Sequence, residues 1–384
     1  MDFPTPLNLD ASGLYIGRVW NPAVQGPSIV TVCDNRVFDI TSKEHPLIRD
    51  ICELTDPAEY TRSVERTYLG TLEEIASAPV GDQTKIHILA PCDLQSVKAC
   101  GVTFASSMVE RVIEEQAAGD PQKAEGIRER VGAAIGDSLR DIRAGSDEAA
   151  EVKKALTAEG LWSQYLEVGI GPDAEVFSKA QVLSSVGPFA DVGLHPISKW
   201  NNPEPEVVLT VSSKGRIVGA TLGNDVNLRD VEGRSALLLG KAKDNNASCS
   251  VGPMIRLFDD SYSLDDVRVA VLDLQVKGQD GYILNGHSSM KEISRDPADL
   301  VRQTIGRHHQ YPDGLMLFLG TLFAPTQDRD HPGEGFTHKI GDVVEISSPQ
   351  LGLLRNTVKL STECSEWTFG VSHLMRNLAA RDLI

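Results

Sequence analysis

Trp200 to Val226 reads WNNPEPEVVLTVSSKGRIVGATLGNDV. Val207–Val211 is an apolar, β-branched run, Ser213–Arg216 carries turn residues, and Ile217–Leu222 is a second apolar run. That pattern predicts a β-hairpin. With Lys214 and Gly215 as the two turn residues, Ser213 pairs with Arg216, and the register carries Glu204 opposite Asp225. Glu206 lies two residues along, so it faces the same side as Glu204 and is diagonal to Asp225. Opposed side chains stand ~5 Å apart at Cβ and diagonal ones ~7–8 Å. Three carboxylates therefore converge on one patch, where like charges repel. A divalent cation resolves the conflict. An all-oxygen donor set without His or Cys selects a hard ion: Mg²⁺, Mn²⁺ or Ca²⁺. The bland alternative is a solvated strand face, and a third carboxylate arriving in register counts against it. Pro205 cannot donate to a ladder and fits an edge or rim strand.

The flanks supply the fold class. Leu14–Trp20, Ser28–Val32 and Asn35–Ile40 read as strands, Leu47–Leu54 and Val64–Ala76 as short helices, and Ile86–Ala90 as a strand after a linker. Ser106–Ala118 has helical apolar spacing. Strands are again predicted over Glu175–Lys179, Val207–Ser212, Ile217–Leu222, Val267–Val276 and Val343–Ser347. The mixture is α+β and mostly antiparallel, without the regular alternation of a doubly wound sheet. We divide it into a small β-rich unit over 1–85 and a larger catalytic unit over 86–384, with a helical insert at about 118–165.

The chain has 384 residues, 54 acidic against 37 basic, and a formal charge of −17. Such a field repels phosphate backbones and anionic lipid, which argues against nucleic-acid or membrane partners. Six scattered cysteines without a C-x-x-C pair fit a reducing compartment and no thiolate zinc site. The start, MDFPTPLNLD, lacks a signal-peptide pattern, and the longest apolar stretch, Gly314–Ala324, is short of a spanning helix. A soluble cytoplasmic protein is expected.

P-E-P-E ahead of an apolar strand, followed by G-N-D-V-N-L-R-D, resembles the metal-binding core of the fumarylacetoacetate hydrolase superfamily. Other segments follow in that family's order: Leu89–Gly101, Phe177-Ser-Lys179, Leu239-Gly-Lys241 with Asp244, Val251-Gly-Pro253, Leu319-Gly320-Thr321, and Gly341–Val344 with Leu354-Arg-Asn356. The resemblance covers roughly 86–384. It implies a mixed β-roll fold, a divalent cation, and a homodimer or higher homo-oligomer acting on small 2-oxo or 1,3-dioxo acids. Carried over by position, Glu204, Glu206 and Asp225 would be the metal ligands. Lys241 would be the base and Glu110 the acid, and Ser107, Lys179, Gly320 and Thr321 would meet substrate.

The sequence also departs from the family. The hydrolases typically read G-x-N-Y-x-x-H-x-x-E, where His and Glu activate water. Here Gly101 to Glu110 reads GVTFASSMVE, with Ser107 at the His position. Serine accepts no proton at neutral pH. The resemblance then shifts to the branch that dehydrates 2-keto-3-deoxy-pentonates to 2-oxoglutarate semialdehyde in pentose oxidation. The alternatives are a metal-dependent hydrolase or decarboxylase of acylpyruvates and related 1,3-diketo acids, and a catalytically inert β-roll that binds a partner. Two other motifs carry less. The histidines in Arg307–Pro312 have no third ligand at metal spacing, and Gly233 to Lys241 has the wrong spacing for a phosphate loop.

Overall fold

The computed structural model describes residues 6–384 other than 119, 121–122, 124–126, 128–141, 159–161, 322, 324, 326 and 332–334, with 105–107, 109 and 114 described by backbone alone. Part of the expected helical insert lies outside the described residues. Inside them are helices Ala105–Ala117, Asp147–Ala158 and Gln164–Ile170.

Strands are numbered in chain order. The larger sheet holds β1 (Tyr15–Asn21), β2 (Gly26–Cys33), β3 (Arg36–Asp39), β4 (Thr67–Thr71), β5 (His87–Leu89), β6 (Ser96–Gly101) and β7 (Glu175–Ala180). It continues through β9 (Pro205–Val211), β10 (Ile217–Asp225), β11 (Cys249–Leu257) and β14 (Leu315–Phe318). Its order is β4-β3-β2-β1-β11-β10-β9-β14-β6-β7, with β5 on β1. The smaller sheet contains β8 (Asp191–Leu194), β12 (Val271–Lys277), β13 (Ile283–Ser289), β15 (Val343–Ser348) and β16 (Gly352–Leu360). Only β14·β6 and β16·β8 are parallel among the strand pairs described. The fold is the mixed, mostly antiparallel α+β arrangement read from the sequence.

The sheets share a core. Val207 and Leu209 of β9 and Ala220 and Leu222 of β10 pack in one cluster with Leu272, Leu274 and Val276 of β12 and Ile346 of β15. All seven residues of β9 are buried. A strand covered on both faces reads as an unbroken apolar run, which is what Val207–Val211 shows. Pro205 is accordingly not on an edge: it is the first residue of a central strand, a position that also spares the missing N–H.

Two segments differ from the sequence reading. Val64–Ala76 splits into β4 and a helix over Leu72–Ser77, because Thr71 and Glu74 close a capping box at its start. Val267 ends up in a helix over Leu264–Arg268 for the same kind of reason, with Ser263 and Asp266 capping it, and β12 begins only at Val271.

Candidate metal centre

The hairpin turns differently from the two-residue expectation, yet the carboxylates arrive in register. Ser212 donates to Arg216 O at 2.9 Å, so the loop holds three residues and Ser213 does not pair with Arg216. An irregularity between Ile217 and Gly219 then inserts one residue into β10. The longer loop and the bulge cancel. Beyond them Gly223 faces Glu206 and Asn224 faces Pro205, and Asp225 N donates to Glu204 O at 3.0 Å. Oxygens of Glu204, Glu206 and Asp225 all lie within 4.8 Å of one another, and all three side chains are buried.

Cations from three other elements face this cluster. Lys179, on β7 and wholly buried, sits 2.7 Å from Asp225 Oδ1 and donates to the carbonyls of Val226 and Lys243. Lys243, on the helix Leu239–Lys243, lies 2.5 Å from Glu204 Oε2 and 3.1 Å from Asp225 Oδ2. Arg111, on the helix Ala105–Ala117, spans Glu204 Oε1 at 2.5 Å and Glu232 Oε2 at 3.0 Å. Glu206 instead takes the backbone N–H of Gly320 at 2.6 Å. Gly320 has φ +90°, and a Cβ there would strike Thr103, so glycine suits this position alone.

The electrostatics sort the carboxylates. Burial, then the charges of Asp225 and Glu204, pushes Glu206 well above the ordinary range. Burial also raises Glu204, against Lys243 and Arg111. Burial pulls Asp225 upward too, but Lys179 and Lys243 outweigh it and hold that carboxyl low. Burial would neutralise Lys243, but Asp225, Glu204 and Glu232 outweigh it and keep the ammonium charged. Glu175 opens β7 opposite Gly101, with its carboxylate against that glycine. Burial and the charge of Glu232 push it up to about 7.

A hard cation fits here. Three buried carboxylates converge, and Glu206 forms no ion pair with a described residue while burial and its two neighbours' charges disfavour its own. The cavity they line, with Gly101, Phe177, Gly320 and Thr321, measures about 20 Å³, enough for one water-sized particle.

Several expected residues sit elsewhere. Lys241 is exposed while Lys243 enters the cluster. Two helical steps turn a side chain by about 200°, so the two lysines occupy opposite faces. The assignment of the base to Lys241 is therefore withdrawn. Lys179 spends its three N–H groups on Asp225, Val226 O and Lys243 O, so it holds a carboxylate in place and has none left for substrate. Glu110 pairs with Arg229 at 3.4 Å, and Arg229 stacks over Trp200 at 4.1 Å. Gly320 and Thr321 line the cavity, with Thr321 Oγ1 on Pro205 O at 3.1 Å. The Ser107 side chain lies outside the described residues, four positions before Arg111 on its helix. His308 and His309 are exposed and do not line the cavity. Arg111 and Glu175 escaped the sequence reading. Arg111 follows Glu110 directly in SMVERV, and its charge amid an otherwise acidic helix face was the available signal.

Known proteins show matching features. Residues 171–359 match the family model described as fumarylacetoacetate (FAA) hydrolase C-terminal. The chain is 27% identical over 340 residues to a probable 2-keto-3-deoxyxylonate dehydratase of Haloferax volcanii, covering 88% of this chain and 97% of that one. It is 30% identical over 188 residues to a 2-dehydro-3-deoxy-D-arabinonate dehydratase of Saccharolobus solfataricus, covering 48% and 58%. Among solved structures, a 2-keto-3-deoxy-D-arabinonate dehydratase complexed with magnesium and 2,5-dioxopentanoate shares the fold at TM-score 0.62 and 20% identity, over 90% of this chain and 98% of that one.

Proposed function

Because its residues 171–359 match the fumarylacetoacetate hydrolase C-terminal family model, we propose that the protein is a metal-dependent hydro-lyase converting a 2-keto-3-deoxy-pentonate to 2-oxoglutarate semialdehyde, or 2,5-dioxopentanoate. The observation that carries this reading is the buried convergence of Glu204, Glu206 and Asp225 within 4.8 Å. Dehydratase names on both sequence relatives support it.

Glu204, Glu206 and Asp225 would hold the cation, Mg²⁺ first among hard ions. When bound there, it supplies Lewis acidity to the 2-oxo oxygen of an α-keto acid and so acidifies C3. Lys243 stays protonated between Glu204 and Asp225 and orients those carboxylates. Arg111, its fork spanning Glu204 and Glu232, fixes the orientation of both carboxylates. Glu110, ion-paired with Arg229, accepts the C3 proton through a water. Glu175, near neutral in its affinity for protons, donates to the hydroxyl leaving C4. Thr321, Gly320 and Ser107 contact the substrate's remaining oxygens. One water leaves; a proton then moves from C5 to C3 to give the C4–C5 enol, and the enol hydroxyl proton passes to C4 to complete the aldehyde.

The test is incubation of purified protein with Mg²⁺ and 2-keto-3-deoxy-pentonate, read as aldehyde by product mass. Turnover of an acylpyruvate with no aldehyde from the sugar acid would overturn the dehydratase reading.

We further propose a cytoplasmic homodimer. No helix among the described residues is long and apolar enough to cross a membrane, and all six cysteines are free. Trp367, Val371 and Met375, spaced every four residues, expose an apolar stripe of the kind a second subunit covers.

A further inference from the structure

Away from the carboxylate cluster, a cleft of about 710 Å³ opens beside residues 142–145 and the start of the helix Pro297–Thr304. Its size is that of a small-molecule site. Arg295 is the buried residue in its lining, with 3% of its surface exposed. One nitrogen, Nη2, donates to the carbonyls of Val168 at 2.8 Å, Gly171 at 2.7 Å and Asp173 at 3.1 Å. Its Nε is buried with no hydrogen-bond partner. No carboxylate of a described residue forms an ion pair with Arg295. A buried guanidinium without a counter-charge is destabilising, and the carbonyls at a helix end offset it only in part. Burial accordingly draws its pKa downward.

Arg143 lines the same cleft, exposed, and likewise forms no ion pair with a described residue. The two acidic residues of the lining are already engaged: Asp296 by Arg268 at 2.6 Å and Asp299 by Arg302 at 3.2 Å. The cleft thus stands out as cationic on a chain whose net charge is −17.

We propose that this cleft binds a small multivalent oxyanion, gripped by Arg295 from the floor and Arg143 from the rim. Guanidinium forks match carboxylate and phosphate oxygens in pairs. The site also touches the frame of the catalytic cavity. Ser294, beside Arg295, donates through N and Oγ to Thr103 O at 2.7 and 2.9 Å. Thr103 Oγ1 in turn donates to Leu319 O at 2.6 Å, one residue before the Gly320 that holds Glu206. An anion seated on Arg295 therefore braces the loop from Gly101 to Phe104.

The test is calorimetry on protein dialysed free of metal, without chelator, titrated with inorganic phosphate and separately with malonate against chloride of equal ionic strength. We expect one-site binding of at least one of them, unchanged in Glu204→Gln, which excludes the carboxylate cluster. Arg143→Glu, which alters only the rim, weakens that binding by roughly tenfold or more. Arg295→Gln removes it, with circular dichroism reporting whether that variant folds. Phosphate alone, or malonate alone, assigns the oxyanion class. Absence of binding by both, or equal affinity in Arg143→Glu, overturns the proposal. None of these readouts depends on dehydratase activity.

Discussion

At the scale of single residues, the two lysines of Leu239–Lys243 give the sharpest contrast. Lys243→Met leaves Glu204 and Asp225 buried without their shared cation, and we expect a loss of about 3–5 kcal/mol in urea unfolding. Lys241→Met, on the exposed face, should stay within about 0.5 kcal/mol and keep its turnover. Glu206→Gln should move two quantities in opposite directions. It removes a carboxylate that burial and two like charges disfavour, so metal-free protein gains on the order of 1 kcal/mol by melting at pH 8. Calorimetry with Mg²⁺ should find binding weakened or lost in the same variant. A Glu206→Gln protein that binds Mg²⁺ as tightly as the parent would remove Glu206 from the ligand set.

At the scale of elements, the hairpin explains how much was legible. The paired apolar runs and the spacing of Glu204, Glu206 and Asp225 depend on the two-residue period of a strand, which any sequence displays openly. The loop length does not: Ser-Ser-Lys-Gly-Arg accommodates two or three residues, and only the backbone shows that a bulge near Val218 restores the register. The site's cations were harder still. Lys179, Lys243 and Arg111 come from three separate elements, and no local period records which distant carboxylate each will meet. The junction after β14 adds a test of its own. Gly320→Ala forces a side chain onto a backbone at φ +90° and against Thr103. That costs about 1–3 kcal/mol and shifts the N–H that holds Glu206. The expected result is a lower melting temperature together with weaker Mg²⁺ affinity.

At the scale of the whole molecule, the smaller sheet carries a charge network that sets acid stability. Arg329 binds buried Asp342 at 2.6 Å, and His338 lies 3.0 Å from the same carboxylate. Burial raises the Asp342 pKa, but Arg329 and His338 outweigh it and hold it at about 2, below its ordinary 3.8. The unfolded chain therefore binds the extra proton between these values. The stabilisation is complete above about pH 4 and drains away as the pH falls toward 2. Urea midpoints of the parent and of Asp342→Asn should differ at pH 6 and converge near pH 2.5. The larger sheet makes the N-terminal strands part of the same fabric, since β1 pairs with β11, whose other neighbour β10 ends in Asp225. The cavity at that end has a kinetic corollary. The room beside the carboxylates, about 20 Å³, is tight for a five-carbon acid, so we expect the surrounding side chains to yield as substrate enters. Thickening the medium with sucrose should then slow the enzyme by friction alone, at saturating substrate and unchanged chemistry.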